Sequence, residues 1–162
     1  MARRAPVPIA DPGVKPLLYL DVDGVLLPLG KGDWASERIR VGPFYVHVAR
    51  DLRMIVTRLH AAFEVVWATS WCEEANREVG PLVGLPRLPA LDVTAHFRKL
   101  ELVRTHAGEE RAIAWVDDRL EPAAWEWAGG RVGSSLLLKP ESRRGLTPAH
   151  ADELLSFARS LG

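Results

Sequence analysis

Four short apolar runs recur along this chain, each pair separated by enough residues for a helix. They are Leu17-Leu18-Tyr19-Leu20, Phe63-Glu64-Val65-Val66-Trp67-Ala68, Ala112-Ile113-Ala114-Trp115-Val116 and Leu136-Leu137-Leu138. Runs this short and apolar on both faces suit buried strands of a parallel sheet, which needs helices on both sides. The intervening segments supply them. Leu52, Ile55, Val56 and Leu59 form a helical stripe within 49–61, and a second helix is expected over 94–106. Pro122 fits the first turn of a third. Thr147-Pro148 opens the last, with Leu154, Leu155, Ala158 and Leu161 as its apolar face. Strand alternating with helix in this order predicts an α/β three-layer sandwich with a central parallel sheet.

Smaller features are also legible. Residues 38–41 and 44–48 alternate around Gly42-Pro43 and predict a hairpin. Ser70, with Glu73 three positions on, reads as a capping box opening a helix. Residues 80–93, rich in proline and glycine, read as mostly loop. Residues 1–16 read as a loose lead-in and 17–162 as one domain, as expected for a chain of 162 residues.

Composition narrows the class. Lys plus Arg and Asp plus Glu both number 21, so no global positive field holds nucleic acid non-specifically. A lone cysteine, Cys72, excludes an intramolecular disulfide and a multi-cysteine zinc site. No apolar run approaches a membrane span, and the N-terminus lacks the apolar core of a signal peptide. These features predict a cytoplasmic protein with no membrane partner. The five histidines show no metal-ligand spacing.

Three of the predicted strands end in groups suited to chemistry: Asp21, Thr69 and Asp117. In open α/β sheets, ligands bind beyond the carboxyl ends of the strands. Asp21-Val22-Asp23-Gly24 and Asp117-Asp118 are each, taken alone, compatible with a turn or a cap. Brought to one edge, four carboxylates would repel one another unless a hard cation such as Mg²⁺ sat among them. Thr69 and Ser70, between a strand and an expected helix, suit an anion site, with Thr69 the better candidate for direct phosphate contact. Of the four lysines, only Lys99 lies between Thr69 and Asp117; Lys139, after the last strand, is its rival for balancing phosphate charge.

In this order the motifs resemble those of the haloacid dehalogenase (HAD) superfamily of hydrolases. Leu20-Asp21-Val22-Asp23-Gly24-Val25-Leu26 is similar to its first motif, Val66-Trp67-Ala68-Thr69-Ser70 to its second, Lys99 to its third and Trp115-Val116-Asp117-Asp118 to its fourth. The runs LYLDVDGVL, VVWATSW, AWVDD and GLTPAH further resemble a bacterial branch named for predicted RNA-repair proteins. The resemblance implies a Rossmannoid phosphatase. Asp21 would be the nucleophile that forms an aspartyl-phosphate, and Asp23 the acid and then the base. Gly24, Thr69, Ser70 and Lys99 would hold the phosphoryl group. Asp21, Asp23 (through its carbonyl), Asp117 and Asp118 would hold Mg²⁺. The second acid, Asp23, favours phosphate chemistry over dehalogenation.

The stretch between Asp21 and Thr69 must hold a helix and a strand, which leaves space for the hairpin but not for a lid domain. A capless, open site follows, suited to a large phosphorylated substrate such as a nucleic-acid end, or closed by a second copy in a dimer. Phosphotransfer to another acceptor and a non-catalytic binding domain are the competing readings. A signalling receiver domain is disfavoured, because there the acidic pair precedes the phosphoacceptor. Trp67 and Trp115 are expected in the core, and Trp71 in packing or at the rim of the site, where it could stack a base.

Overall fold

The computed structural model describes residues 13–30, 36–94 and 98–162. In chain order the strands are β1 (Leu17–Leu20), β2 (Ser36–Val41), β3 (Phe44–Ala49), β4 (Glu64–Trp67), β5 (Ile113–Val116) and β6 (Ser135–Leu138). The helices are α1 (Leu52–Ala62), α2 (Gly80–Val83), α3 (Lys99–Ala107), α4 (Pro122–Gly130) and α5 (Pro148–Ser160), and a π-helical turn, Ala75–Val79, leads into α2. The four apolar runs pair as one parallel sheet in the order β4-β1-β5-β6. This is the expected α/β architecture.

Alternation along each strand divides the core in two. Leu18, Leu20, Val65, Trp67, Ala114 and Val116 face α1, α5 and the inner side of the hairpin. Leu17, Tyr19, Val66, Ile113, Trp115 and Leu137 face α3 and α4. Helices therefore flank both faces, which is why the strands carry no polar alternation. Each fully buried aliphatic or aromatic side chain contributes about 1.5–3 kcal/mol. Trp67 and Trp115 are both core residues, as expected. The cap of α5 is as read, with Thr147 Oγ1 accepting from the His150 N–H; the His150 ring closes the box by accepting from the Thr147 N–H.

The hairpin forms as β2 paired antiparallel with β3 around Gly42-Pro43. Gly42 has a φ of +56°, a left-handed turn position that glycine adopts without strain. Among the described residues, this hairpin and α1 are the only helix or strand elements between β1 and β4.

Two local expectations need correction. Ser70 and Glu73 form no capping box. The Glu73 carboxylate instead accepts from Asn76 Nδ2 at 3.1 Å and from Arg87 Nε at 2.9 Å, a charged partner that competes successfully for it. The chain after Ser70 makes turns, with Cys72 at a φ of +48°, before the π-helical turn begins. Residues 80–93 are mostly loop, as expected, with one helical turn at Gly80–Val83. The rest of that segment is pinned to β4 by Asn76. Its Oδ1 accepts from Trp67 Nε1 and the Leu88 N–H, and its Nδ2 donates to the Leu88 carbonyl as well as to Glu73. The helix expected over 94–106 begins later, at Lys99; residues 95–97 of that expectation lie outside the described residues, as do residues 1–12 of the lead-in.

Candidate active site

Parallel pairing in register (Leu17 with Ile113, Leu20 with Val116) brings the ends of β1 and β5 side by side. Asp21 and Asp117 are the next residues on each, and the Asp21 N–H still donates to the Val116 carbonyl. Carboxylate oxygens of Asp21, Asp117 and Asp118 lie within 4.8 Å of one another, and all three residues are buried. Lys99, at the start of α3 and only 9% exposed, reaches into this cluster. Its Nζ donates to Asp117 Oδ2 at 2.7 Å and lies 3.5 Å from Asp21 Oδ1. Asp117 Oδ1 accepts from the Arg119 N–H, and Asp118 Oδ2 accepts from Ser142 Oγ at 2.7 Å.

One ammonium among three buried carboxylates leaves an uncompensated negative charge. Desolvation is the largest cause pushing the Asp21 carboxyl up, to about 7, and Asp117 adds to it, while Lys99 opposes it. An oxygen-rich, electron-hard pocket of this kind fits a divalent cation such as Mg²⁺, which would take the carboxylates as ligands.

Gly24 is what allows the loop to lie this close. Its φ is +73°, and a Cβ there would fall 2.2 Å from Asp118 Oδ2. Any other residue would collide with the cluster and strain the turn together.

The cluster opens into a cavity of about 450 Å³. Asp21, Asp23, Ser70, Lys99, Asp117 and Asp118 line its polar side, and Leu100, Trp115, Leu120 and Ala124 its apolar side. The two hydroxyls after β4 are placed unequally. Ser70 is exposed and lines the cavity, whereas Thr69 is fully buried beneath it, its Oγ1 accepting from the Trp71 N–H at 3.3 Å. Lys139 is exposed and does not line the cavity. Asp23 stands outside the group of three carboxylates, and its Oδ2 accepts from Trp71 Nε1 at 3.0 Å.

Sequence reasoning missed two of these residues and the partner of a third. Ser142 sits in a turn with no motif around it. Arg119 follows the acidic pair, and its residue lines the cavity. Trp71 was visible beside Thr69-Ser70, but nothing in the sequence pointed it at Asp23.

Residues 17–151 match the family model described as the HAD domain in Swiss Army Knife RNA repair proteins. Among solved structures, a hypothetical protein from Xanthomonas campestris is similar at 14% identity and a TM-score of 0.46, over 91% of this chain and 82% of that one. Fcp1, an essential RNA polymerase II CTD phosphatase, is similar at 15% identity and a TM-score of 0.40, over 91% of this chain and 49% of that one. No curated protein gives a significant match. The family match takes in Asp21, Asp23, Thr69, Lys99, Asp117 and Asp118 together with all four strands of the sheet, and this chain belongs to that family of HAD domains.

Proposed function

We propose that this chain is a Mg²⁺-dependent phosphate-monoester hydrolase that works through an aspartyl-phosphate on Asp21. The observation that carries the reading is the buried group of Asp21, Asp117 and Asp118 around the Lys99 ammonium at the mouth of a cavity. Three carboxylates with one cation are costly as they stand and become favourable with a divalent ion and a phosphoryl group present. Bound Mg²⁺ would supply charge neutralisation for the phosphoryl oxygens.

This chain's own residues account for the rest. A carboxylate oxygen of Asp21 attacks phosphorus, and the bond from phosphorus to the leaving oxygen breaks. Asp23 gives that oxygen its proton. Water then attacks the phosphoryl group, Asp23 takes the water's proton, and the bond from phosphorus to Asp21 breaks to release inorganic phosphate. Lys99, with Ser70 and the backbone around Gly24, holds the phosphoryl oxygens. Thr69 shapes the turn beneath them through its hydrogen bond to the Trp71 N–H.

The substrate we favour is a phosphate at the end of a nucleic-acid strand. The family's RNA-repair description supports it, as does the hairpin in place of a lid. A single cysteine fits a reducing cytoplasm, and no described helix is long and apolar enough to cross a membrane. The test is phosphate release from p-nitrophenyl phosphate and from oligonucleotides with 3′- or 5′-phosphates, in Mg²⁺ and in EDTA, with hydroxylamine trapping of the acyl-phosphate. Mg²⁺-dependent release with trapping at Asp21 is expected. Inert protein across the whole panel would overturn the reading.

A further inference from the structure

The hairpin has two unlike faces. Residues alternate across an antiparallel pair, so Ile39, Val41, Val46 and Val48 turn toward the core. The other face carries Arg38 opposite His47 and Arg40 opposite Tyr45, and no acidic residue. The Arg38 guanidinium sits 4.1 Å from the Tyr45 ring centroid. Arg40 Nε donates to the Gly42 carbonyl, and Arg50 Nε to the Ser36 carbonyl, so both arginines are tied to the hairpin backbone. None of these three arginines forms an ion pair among the described residues. One ring stands in solvent beside them: Tyr45 is 59% exposed. Phe44, also exposed, pairs with Val41 and so belongs to the opposite face.

We propose that this face of the hairpin is a landing surface for single-stranded nucleic acid, with Arg38 and Arg40 taking backbone phosphates and Tyr45 stacking a base. Arginines beside aromatic rings on an open β-surface are the combination that single strands use, because every base has a π-face and every nucleotide a charge. In a chain of zero net charge, this positive surface is local and not part of a general basic character. A ribbon two strands wide offers a track for one extended polymer. An acidic peptide would use the arginines but leave the exposed Tyr45 ring without a partner.

The position also fits. Leu29 lines the cavity, and the chain from Leu29 to Ser36 can span at most about 25 Å. A strand whose end entered the cavity would therefore have the hairpin close by. The proposal rests on the phosphatase reading for that end alone; the surface itself does not depend on it.

The test uses a fluorescein-labelled single-stranded oligonucleotide without a terminal phosphate, read by anisotropy across a salt series. Such a probe reports on the hairpin whether or not the site hydrolyses phosphate. The full chain is expected to bind, and Arg38→Glu/Arg40→Glu to weaken binding tenfold or more. The slope of log Kd against log salt should fall by about 1.4, from two lost contacts to a single strand. Tyr45→Ala should weaken binding several-fold with the slope unchanged, as expected for lost stacking. A charge-matched control, Arg104→Glu/Arg159→Glu, alters exposed residues on α3 and α5 and should change affinity less than twofold. Equal affinities in the wild type and the hairpin variants would overturn the proposal. So would absence of binding by the wild type, or tighter hairpin-dependent binding of an acidic phosphopeptide or of anionic vesicles than of the oligonucleotide.

Discussion

The indole Nε1 of Trp71 donates a hydrogen bond to Oδ2 of Asp23 at 3.0 Å. The two residues come from different loops, one after β1 and the other after β4, and meet only because those strands are neighbours. Trp71 is half-buried and is reached through a turn in which Cys72 takes a left-handed conformation that costs a non-glycine residue about 1 kcal/mol. The bond fixes one carboxylate oxygen and, in the mechanism proposed above, leaves the other, Oδ1, for proton transfer at the leaving group.

Trp71→Phe keeps a ring and removes the donor. Hydrolysis of an alkyl phosphate, whose leaving oxygen needs a proton, should slow about tenfold, a typical effect of disturbing a positioned acid. p-Nitrophenyl phosphate, with a leaving group stable as an anion, should be affected much less. Steady-state kinetics on the two substrates check this. Equal losses on both would reduce Trp71 to a packing residue.

Asp21→Asn should lower kcat on the order of 10³-fold or more while leaving the circular dichroism spectrum unchanged. The amide keeps the shape of the carboxylate but is a poor nucleophile toward phosphorus. Turnover near the wild-type value would remove Asp21 from its role.

Lys99→Ala should cost far more activity than Lys139→Ala. The Lys99 ammonium lies buried against Asp117 and Asp21, whereas Lys139 is exposed away from the cavity. Lys99→Ala also leaves three carboxylates without their cation, so the metal-free protein should melt at a lower temperature than the wild type. Calorimetry and kinetics on the two variants give the ranking; the reverse order would transfer the role to Lys139.

Gly24→Ala should abolish activity and weaken Mg²⁺ affinity at least tenfold. The added methyl would meet the Asp118 carboxylate at 2.2 Å, and φ of +73° strains alanine as well. Isothermal titration with Mg²⁺ would separate this from a general loss of folding, which far-UV circular dichroism reports. Unchanged Mg²⁺ affinity would mean that Asp118 can move aside without consequence.

Stability of the metal-free protein should fall as pH rises from about 4 to about 7. Burial lifts the Asp21 carboxyl from its ordinary value of 3.8 to about 7. Within that window the folded state holds a proton that the unfolded state has released, so raising pH favours unfolding, by at most about 1.4 kcal/mol per pH unit. Mg²⁺ favours the ionised carboxylates and should therefore raise the melting temperature more at pH 8 than at pH 5. Asp21→Asn should flatten the pH slope and stabilise the metal-free protein at pH 8. Melting curves in EDTA and in Mg²⁺ provide the check. A wild-type slope matching that of Asp21→Asn would mean that Asp21 titrates normally in the folded protein.

What the sequence determined by itself lies along the backbone. Short runs apolar on both faces require a sheet covered on both sides, and polar residues directly after Leu20, Ala68 and Val116 must then emerge at its carboxyl edge. Asp21, Thr69 and Asp117 were legible for that reason, and Lys99 by its place in the chain order of the HAD motifs. Side-chain direction and competition between partners were decided only by the tertiary structure. Glu73 abandons a local cap because Arg87, distant in sequence, offers a charged partner. Thr69 is buried and Ser70 exposed because a turn with a left-handed Cys72 replaces the expected helix start. Trp71 meets Asp23, and Ser142 meets Asp118, across loops whose approach is set by strand order and by the space that Gly24 leaves open. Period and composition encode which face is buried; which polar groups satisfy one another depends on contacts between segments that no local pattern records.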